Sequence, residues 1–293
     1  MNDNELMDNL KNDVAFNPWL GKVDEYRNNF ETGIRSFVLH KNKVDDYESK
    51  VNVIDGENDQ LHLRLDIPPQ PFIGMPTAGI WLLLKNPGFS EIDLYDYWGT
   101  MSQNNSVIRK IQSEREVQLL QDRRERLLSQ YSFSQESGCE FYLLDDSFKT
   151  CSVSGKGGFG WYSRYLFPKG GLLSRYCASD RDEDKLAFCS RNIFVLDYHP
   201  YHSENYCEEY ADILKDNYWD KLVEHALINN KLLVFWGSKI LSKVKTQFEE
   251  LYNNAVEAGR IYVLKGASAY FSSNCLFKVV GRGGVFLKPY LKV

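Results

Sequence analysis

The chain has 293 residues, of which 43% are apolar, 14% aromatic and 26% charged. That length can bury a full core as one large domain or two small ones. No run of about 18 apolar residues is present to span a membrane as a helix. The N-terminus, MNDNELMDNLKND, lacks the basic start and apolar run of a secretory leader, so a cytoplasmic location is expected. The six cysteines, Cys139, Cys151, Cys177, Cys189, Cys207 and Cys275, form no C-x-x-C pair and read as reduced thiols. The net charge of −5 excludes a uniformly basic nucleic-acid binder. The charge is uneven, however: residues 1–60 hold 7 Lys/Arg and 13 Asp/Glu, whereas residues 230–293 hold 10 and 3. Phosphate binding needs only a local excess of positive charge, and the last fifth of the chain supplies one.

In chain order, residues 1–50 read as helical and polar, with Phe30, Ile34, Phe37 and Val38 on one face. Residues 51–65 alternate at Val51, Val53, Leu61, Leu63 and Leu65 around Asp55-Gly56, which predicts a small hairpin. The segment IPPQPFIGMP follows as a Pro/Gly-rich connector. The organisation expected is an N-terminal helical and hairpin extension over residues 1–70, packed on an α/β domain over residues 71–293.

That domain shows the pattern of a parallel sheet. AGIWLLL (78–84), NIFVLDY (192–198), KLLVFWG (231–237) and RIYVLKG (260–266) are apolar runs suited to strands covered on both faces. Residues 106–129, 207–229 and 238–257 read as helices. The fold class expected is α/β, a three-layer α/β/α arrangement around a mainly parallel four-stranded sheet. Open parallel sheets place their sites outside the carboxyl ends of the strands, so the strand-to-helix junctions are the candidates for chemistry.

Three junctions carry suitable residues. Lys85-Asn86-Pro87-Gly88-Phe89 follows the first strand, and its Pro-Gly pair forces a tight turn that frees backbone N–H groups. By itself N-P-G is only a turn signal. Asp197-Tyr198-His199-Pro200-Tyr201-His202 follows the second strand. Its histidines suit metal, acid/base or phosphate roles, but no third ligand is evident and no metal is expected. Asp197 is either a site carboxylate or a helix cap. Lys265-Gly266-Ala267-Ser268 follows the last strand inside the basic region. Its small residues permit close approach to a ligand, and Ser268 equally suits a helix cap. The glycines of GKGGFGWY (155–162) lack a dinucleotide or P-loop spacing and predict a loop entering a helix near Trp161.

In order and spacing, Leu84-Lys85-Asn86-Pro87-Gly88, Asp197-Tyr198-His199-Pro200, Val234-Phe235-Trp236-Gly237-Ser238 and Gly266-Ala267-Ser268 resemble the uracil-DNA glycosylase superfamily over about residues 70–275. The nearest likeness is to its single-strand-selective monofunctional and mismatch-specific branches. The resemblance implies a protein that binds DNA, flips one nucleotide and hydrolyses its N-glycosidic bond with water. It implies no cofactor. By the same resemblance, Asn86 positions water and Phe89 stacks on the base. Asp197 reads the base edge, with His199, Pro87 and Gly88 beside it. Lys265, Gly266 and Ser268 grip the backbone, Ser268 being counted with Asn86 as catalytic.

Two departures bear on function. Gly266 stands where the family has His, and loss of one such donor costs roughly a hundred- to a thousandfold in rate. Asp197 stands where the family has Asn, and an ionised Asp only accepts hydrogen bonds. On that premise a base other than uracil is expected. The alternative reading keeps the fold as a nucleic-acid or nucleotide binder without efficient chemistry.

Overall fold

The structure is a computed structural model that describes residues 1–55, 59–89, 91–103, 106–110, 113–134, 141–145, 157–265, 270–272, 275–279 and 287–292. The chain opens with helices α1 (Asp3–Asn12), α2 (Val23–Thr32) and α3 (Lys41–Asp55). Strands β1 (Phe72–Gly74) and β2 (Ile80–Leu84) follow, then α4 (Glu91–Trp98), the antiparallel pair β3 (Thr100–Gln103) and β4 (Ser106–Lys110), and α5 (Glu114–Ser132). Next come α6 (Gly157–Leu166), α7 (Asp182–Asn192), β5 (Ile193–Asp197), α8 (Ala211–Leu214), α9 (Asn217–Ile228) and β6 (Leu232–Trp236). The chain closes with α10 (Ser238–Gln247), α11 (Glu249–Glu257), β7 (Ile261–Leu264) and β8 (Leu276–Lys278).

The architecture is mixed α/β, built on a six-stranded sheet of order β1-β5-β2-β6-β7-β8. The four apolar runs are its four parallel strands, β5, β2, β6 and β7. The sequence missed the two edges, where β1 and β8 are antiparallel three-residue strands. The expected four-stranded sheet is therefore extended to six. β1 lies inside the Pro-rich segment read as a connector, and an edge position tolerates proline next to it. Its outer backbone is covered rather than left open. Gln130 of α5 donates from Nε2 to Gly74 O at 3.0 Å and accepts from Gly74 N at 3.1 Å on Oε1. Gln130 is itself buried, so this pair closes a sheet edge with one side chain.

Both faces of the sheet are covered. On one, Trp81 and Phe194 meet at 4.5 Å and Trp81 stacks on His225 of α9 at 6.1 Å. On the other, Trp236 meets Trp161 of α6 at 4.8 Å. Leu6, Leu10, Trp19, Tyr26, Phe30 and Phe37 of the first 70 residues join the same buried cluster as the strands. Asn2 starts α1 with a capping box, its side chain accepting from Glu5 N at 3.0 Å while Glu5 accepts from Asn2 N at 2.8 Å.

Several expectations are corrected. Among the described residues of 51–65 there is no hairpin: α3 continues to Asp55, and a 3-10 turn covers Asp59–Leu61. Val44, Tyr47 and Val51 share a helical face that packs on Leu63, Tyr201 and Leu214, whereas Val53 is 86% exposed. The helical period prevailed over the alternation. Residues 106–110 form β4, and the helix expected from 106 begins after Ser113, whose side chain accepts from Glu116 N at 3.3 Å. Of the glycines before Trp161, Gly157, Gly158 and Gly160 belong to α6, which starts at Gly157, and Gly155 lies outside the described residues. A Cβ on Gly158 would lie 2.9 Å from Leu143, so the helix backbone approaches that side chain closely. Residues 207–229 and 238–257 are each two helices, broken near Lys215 and at Phe248.

Candidate functional site

The ends of the parallel strands are in register. Leu84 pairs with Asp197, Leu83 with Phe235, and Trp236 with Leu264. Lys85, Tyr198, Gly237 and Lys265 therefore leave the sheet at one edge. The ladder runs past the strands, with Tyr198 N donating to Leu84 O at 3.1 Å and His199 N to Lys85 O at 3.3 Å. From β2 the chain crosses to β5 on one side, and from β5 it crosses back to β6 on the other. The winding reverses between β2 and β6, and ligands of such sheets bind at the reversal, outside the carboxyl ends. The residues there are Lys85 and Gly237, whose Cβ would stand 3.9 Å from Lys85 Cε. Gly237 has φ 102°, which lets the backbone turn directly from strand into helix.

The loop after β2 is fixed by the loop after β5. Asn86 Nδ2 donates to Ser203 Oγ at 3.0 Å and to Pro87 O at 3.1 Å. A carbonyl only accepts, so this contact sets the amide orientation and leaves Asn86 Oδ1 for another donor, such as a water. His202 donates from Nδ1 to Gly88 O at 2.7 Å. Phe89 is half-buried, and one face of its ring is taken by the Arg64 guanidinium, 4.0 Å from the centroid. Asp66 holds that guanidinium through two bonds, at 2.9 and 2.7 Å. A base stacking on Phe89 has only the other face.

Asp197 and His199 are enclosed. Asp197 has no exposed surface, and neither carboxyl oxygen meets a donor at hydrogen-bond distance. Burial holds its pKa well above the ordinary carboxylate value, with the Gln70 side chain opposing the rise. Burial thus favours the neutral acid, a form with one donor and one acceptor. The same burial disfavours the ionised Asp197 read from the sequence. His199 is fully buried and lies parallel to Tyr206 at 5.7 Å and 8°, with neither ring nitrogen bonded. Burial, and then the neighbouring His202, push its pKa down to about 3, so the ring is neutral.

Lys85, Asn86, Pro87, Gly88, Phe89, Asp197, His199 and Lys265 are brought to the same edge of the sheet, though Asp197 and His199 lie beneath its surface. Gly266 and Ser268 lie outside the described residues. Sequence reasoning missed Ser203 and Arg64, which act only through partners distant in sequence. Among the described residues no three His, Cys, Asp or Glu side chains cluster to hold a metal, and no helix is long and apolar enough to cross a membrane. A separate cleft of about 320 Å³ touches Asn192 and Leu291. Asn192 precedes β5, so this cleft lies at the amino ends of the strands, away from the junction loops. Comparison with known proteins gives no relative: no family model, curated protein or solved structure matches the chain.

Proposed function

We propose that the chain is a DNA glycosylase-like hydrolase on a three-layer, uracil-DNA glycosylase-like α/β/α fold, releasing a nucleobase from DNA with water. The supporting observation is the meeting of the Asn86 loop and Gly237 at the reversal point between β2 and β6, with the Asn86 amide held by Ser203. In this reading Asn86 Oδ1 accepts a hydrogen bond from the attacking water and orients its lone pair. The free face of Phe89 stacks on the base. A neutral Asp197 reads the base edge once the loop opens toward it. Neutral, it offers one donor beside an acceptor where an Asn amide offers two donors and an acceptor, so the mismatch with uracil belongs to an ionised Asp197 alone. Lys265, Gly266 and Ser268 take the backbone of the strand.

The test is base release from single-stranded oligonucleotides carrying uracil, hypoxanthine or alkylated bases, scored as abasic sites. Release that falls roughly a hundredfold or more in Asn86→Ala, with DNA binding intact, supports the hydrolase. A binder on the same fold is the second reading. It is favoured by the enclosure of Asp197 and by Gly266 at the family's His position. DNA binding with no abasic product from any oligonucleotide selects it.

A further inference from the structure

Beside the reversal point stands a ladder of aromatic rings to which the base-release reading gives no role. Trp161 and Tyr165 are four residues apart on α6 and so share a face. Trp161 lies 4.8 Å from Trp236, the last residue of β6, and 5.0 Å from Tyr165. Tyr165 stacks on Tyr270 at 5.1 Å and 20°. Unlike the rings of the core, all four are only half-buried. Arg164 is exposed, donates from Nη2 to Tyr270 Oη at 3.2 Å, and lies 5.6 and 6.0 Å from the centroids of Tyr165 and Tyr270. Single exposed aromatics are ordinary, but a contiguous row of them marks a binding surface.

The charges beside the ladder identify what it binds. Nearby Lys239 and Lys243 are neutralised by Glu208 and Asp212. Arg164, Lys85 and Lys265 have no carboxylate within ion-pair distance among the described residues; their neighbours are the rings of Tyr165, Tyr206 and Phe277. Lys85 and Lys265 leave the sheet on either side of Trp236-Gly237. Half-buried rings interleaved with unpaired cations suit a ligand that alternates flat bases with phosphates. Duplex DNA keeps its bases stacked inside and offers no free faces to such a row.

We infer that the Trp161–Trp236–Tyr165–Tyr270 ladder, with Arg164, Lys85 and Lys265, binds single-stranded DNA and leads it to the crevice between β2 and β6. This rests on the nucleobase-site reading above and adds the surface that carries the strand. The probe is an oligothymidylate titrated into the full chain and followed by quenching of tryptophan fluorescence, since two ladder rings are tryptophans. Three phosphate contacts predict a slope of about −2 for log affinity against log salt. Tyr165→Ala is expected to weaken binding roughly fivefold to a hundredfold, and Tyr165→Phe to restore it. Arg164→Glu, at an exposed position that leaves folding intact, weakens binding and flattens the salt slope. Unchanged affinity in Arg164→Glu and Tyr165→Ala overturns the inference, as does the absence of any binding. Base release at wild-type KM in both variants refutes the ladder alone. Ladder-dependent binding without base release refutes the hydrolase alone.

Discussion

Replacing Asp197 by Asn changes one ionisable group and almost no volume, so its effect on stability reads out the state of the carboxyl. Asp197 is wholly buried, and its pKa is raised from 3.8 by that burial. Below 3.8 both the folded and the unfolded chain hold the proton, and the group carries no penalty. Above it, the unfolded chain ionises while the folded protein keeps its proton. Stability is then lost at about 1.4 kcal/mol per pH unit until the raised folded pKa is reached. Asn does not titrate, so Asp197→Asn gains that amount over the wild type for each unit. At about 2–4 °C per kcal/mol, the gain in Tm is about 3–6 °C per pH unit. Thermal melts by circular dichroism at roughly pH 4.5, 5.5 and 6.5 on both proteins measure it. The difference between the two isolates Asp197, because His199 and His202 titrate alike in each. A difference constant across pH would show an ionised, solvated Asp197 and refute the enclosure.

Other outcomes follow from single contacts. Gln130→Leu leaves Gly74 N–H and C=O without their partner at a covered sheet edge. A loss of about 1–3 kcal/mol for each group is expected in urea unfolding, and an unchanged midpoint would show the edge paired otherwise. Gly237→Ala forces a side chain into φ 102° and should destabilise by about 1–3 kcal/mol, seen in the same assay. His199 has a lowered pKa, so its stability is lost as pH falls from 6.5 toward about 3. His199→Gln should reduce that acid slope by about 1.4 kcal/mol per unit, as measured by melts across this range. Ser203→Ala removes one of the bonds that hold the Asn86 amide, leaving the bond to Pro87 O, and should slow base release less than Asn86→Ala does, a ranking that single-turnover assays check.

The four parallel strands were legible because each is an unbroken apolar run, the mark of a strand buried on both faces. Their shared carboxyl edge follows, and with it the placement of Asn86, Asp197 and Lys265. What escaped was set by partners far along the chain. β1 has three residues and relies on Gln130 of α5 for its outer hydrogen bonds. Val51 and Val53 alternate in a stretch too short to tell period two from a helical turn, and only packing on Tyr201 and Leu214 decided it. The charge state of Asp197 depends on enclosure, which no residue type announces. The ladder had a signal in the Trp161 and Tyr165 spacing, but Trp236 and Tyr270 join it only through the fold.

The central claim is that a nucleobase binds where the winding reverses, between the Asn86 loop and Gly237. A crystal of the full chain soaked with uracil or guanine tests it most directly. The account predicts a base held within reach of the Asn86 amide and the open face of Phe89. A base found only in the cleft beside Asn192 and Leu291, or nowhere on the carboxyl edge of the sheet, would contradict it.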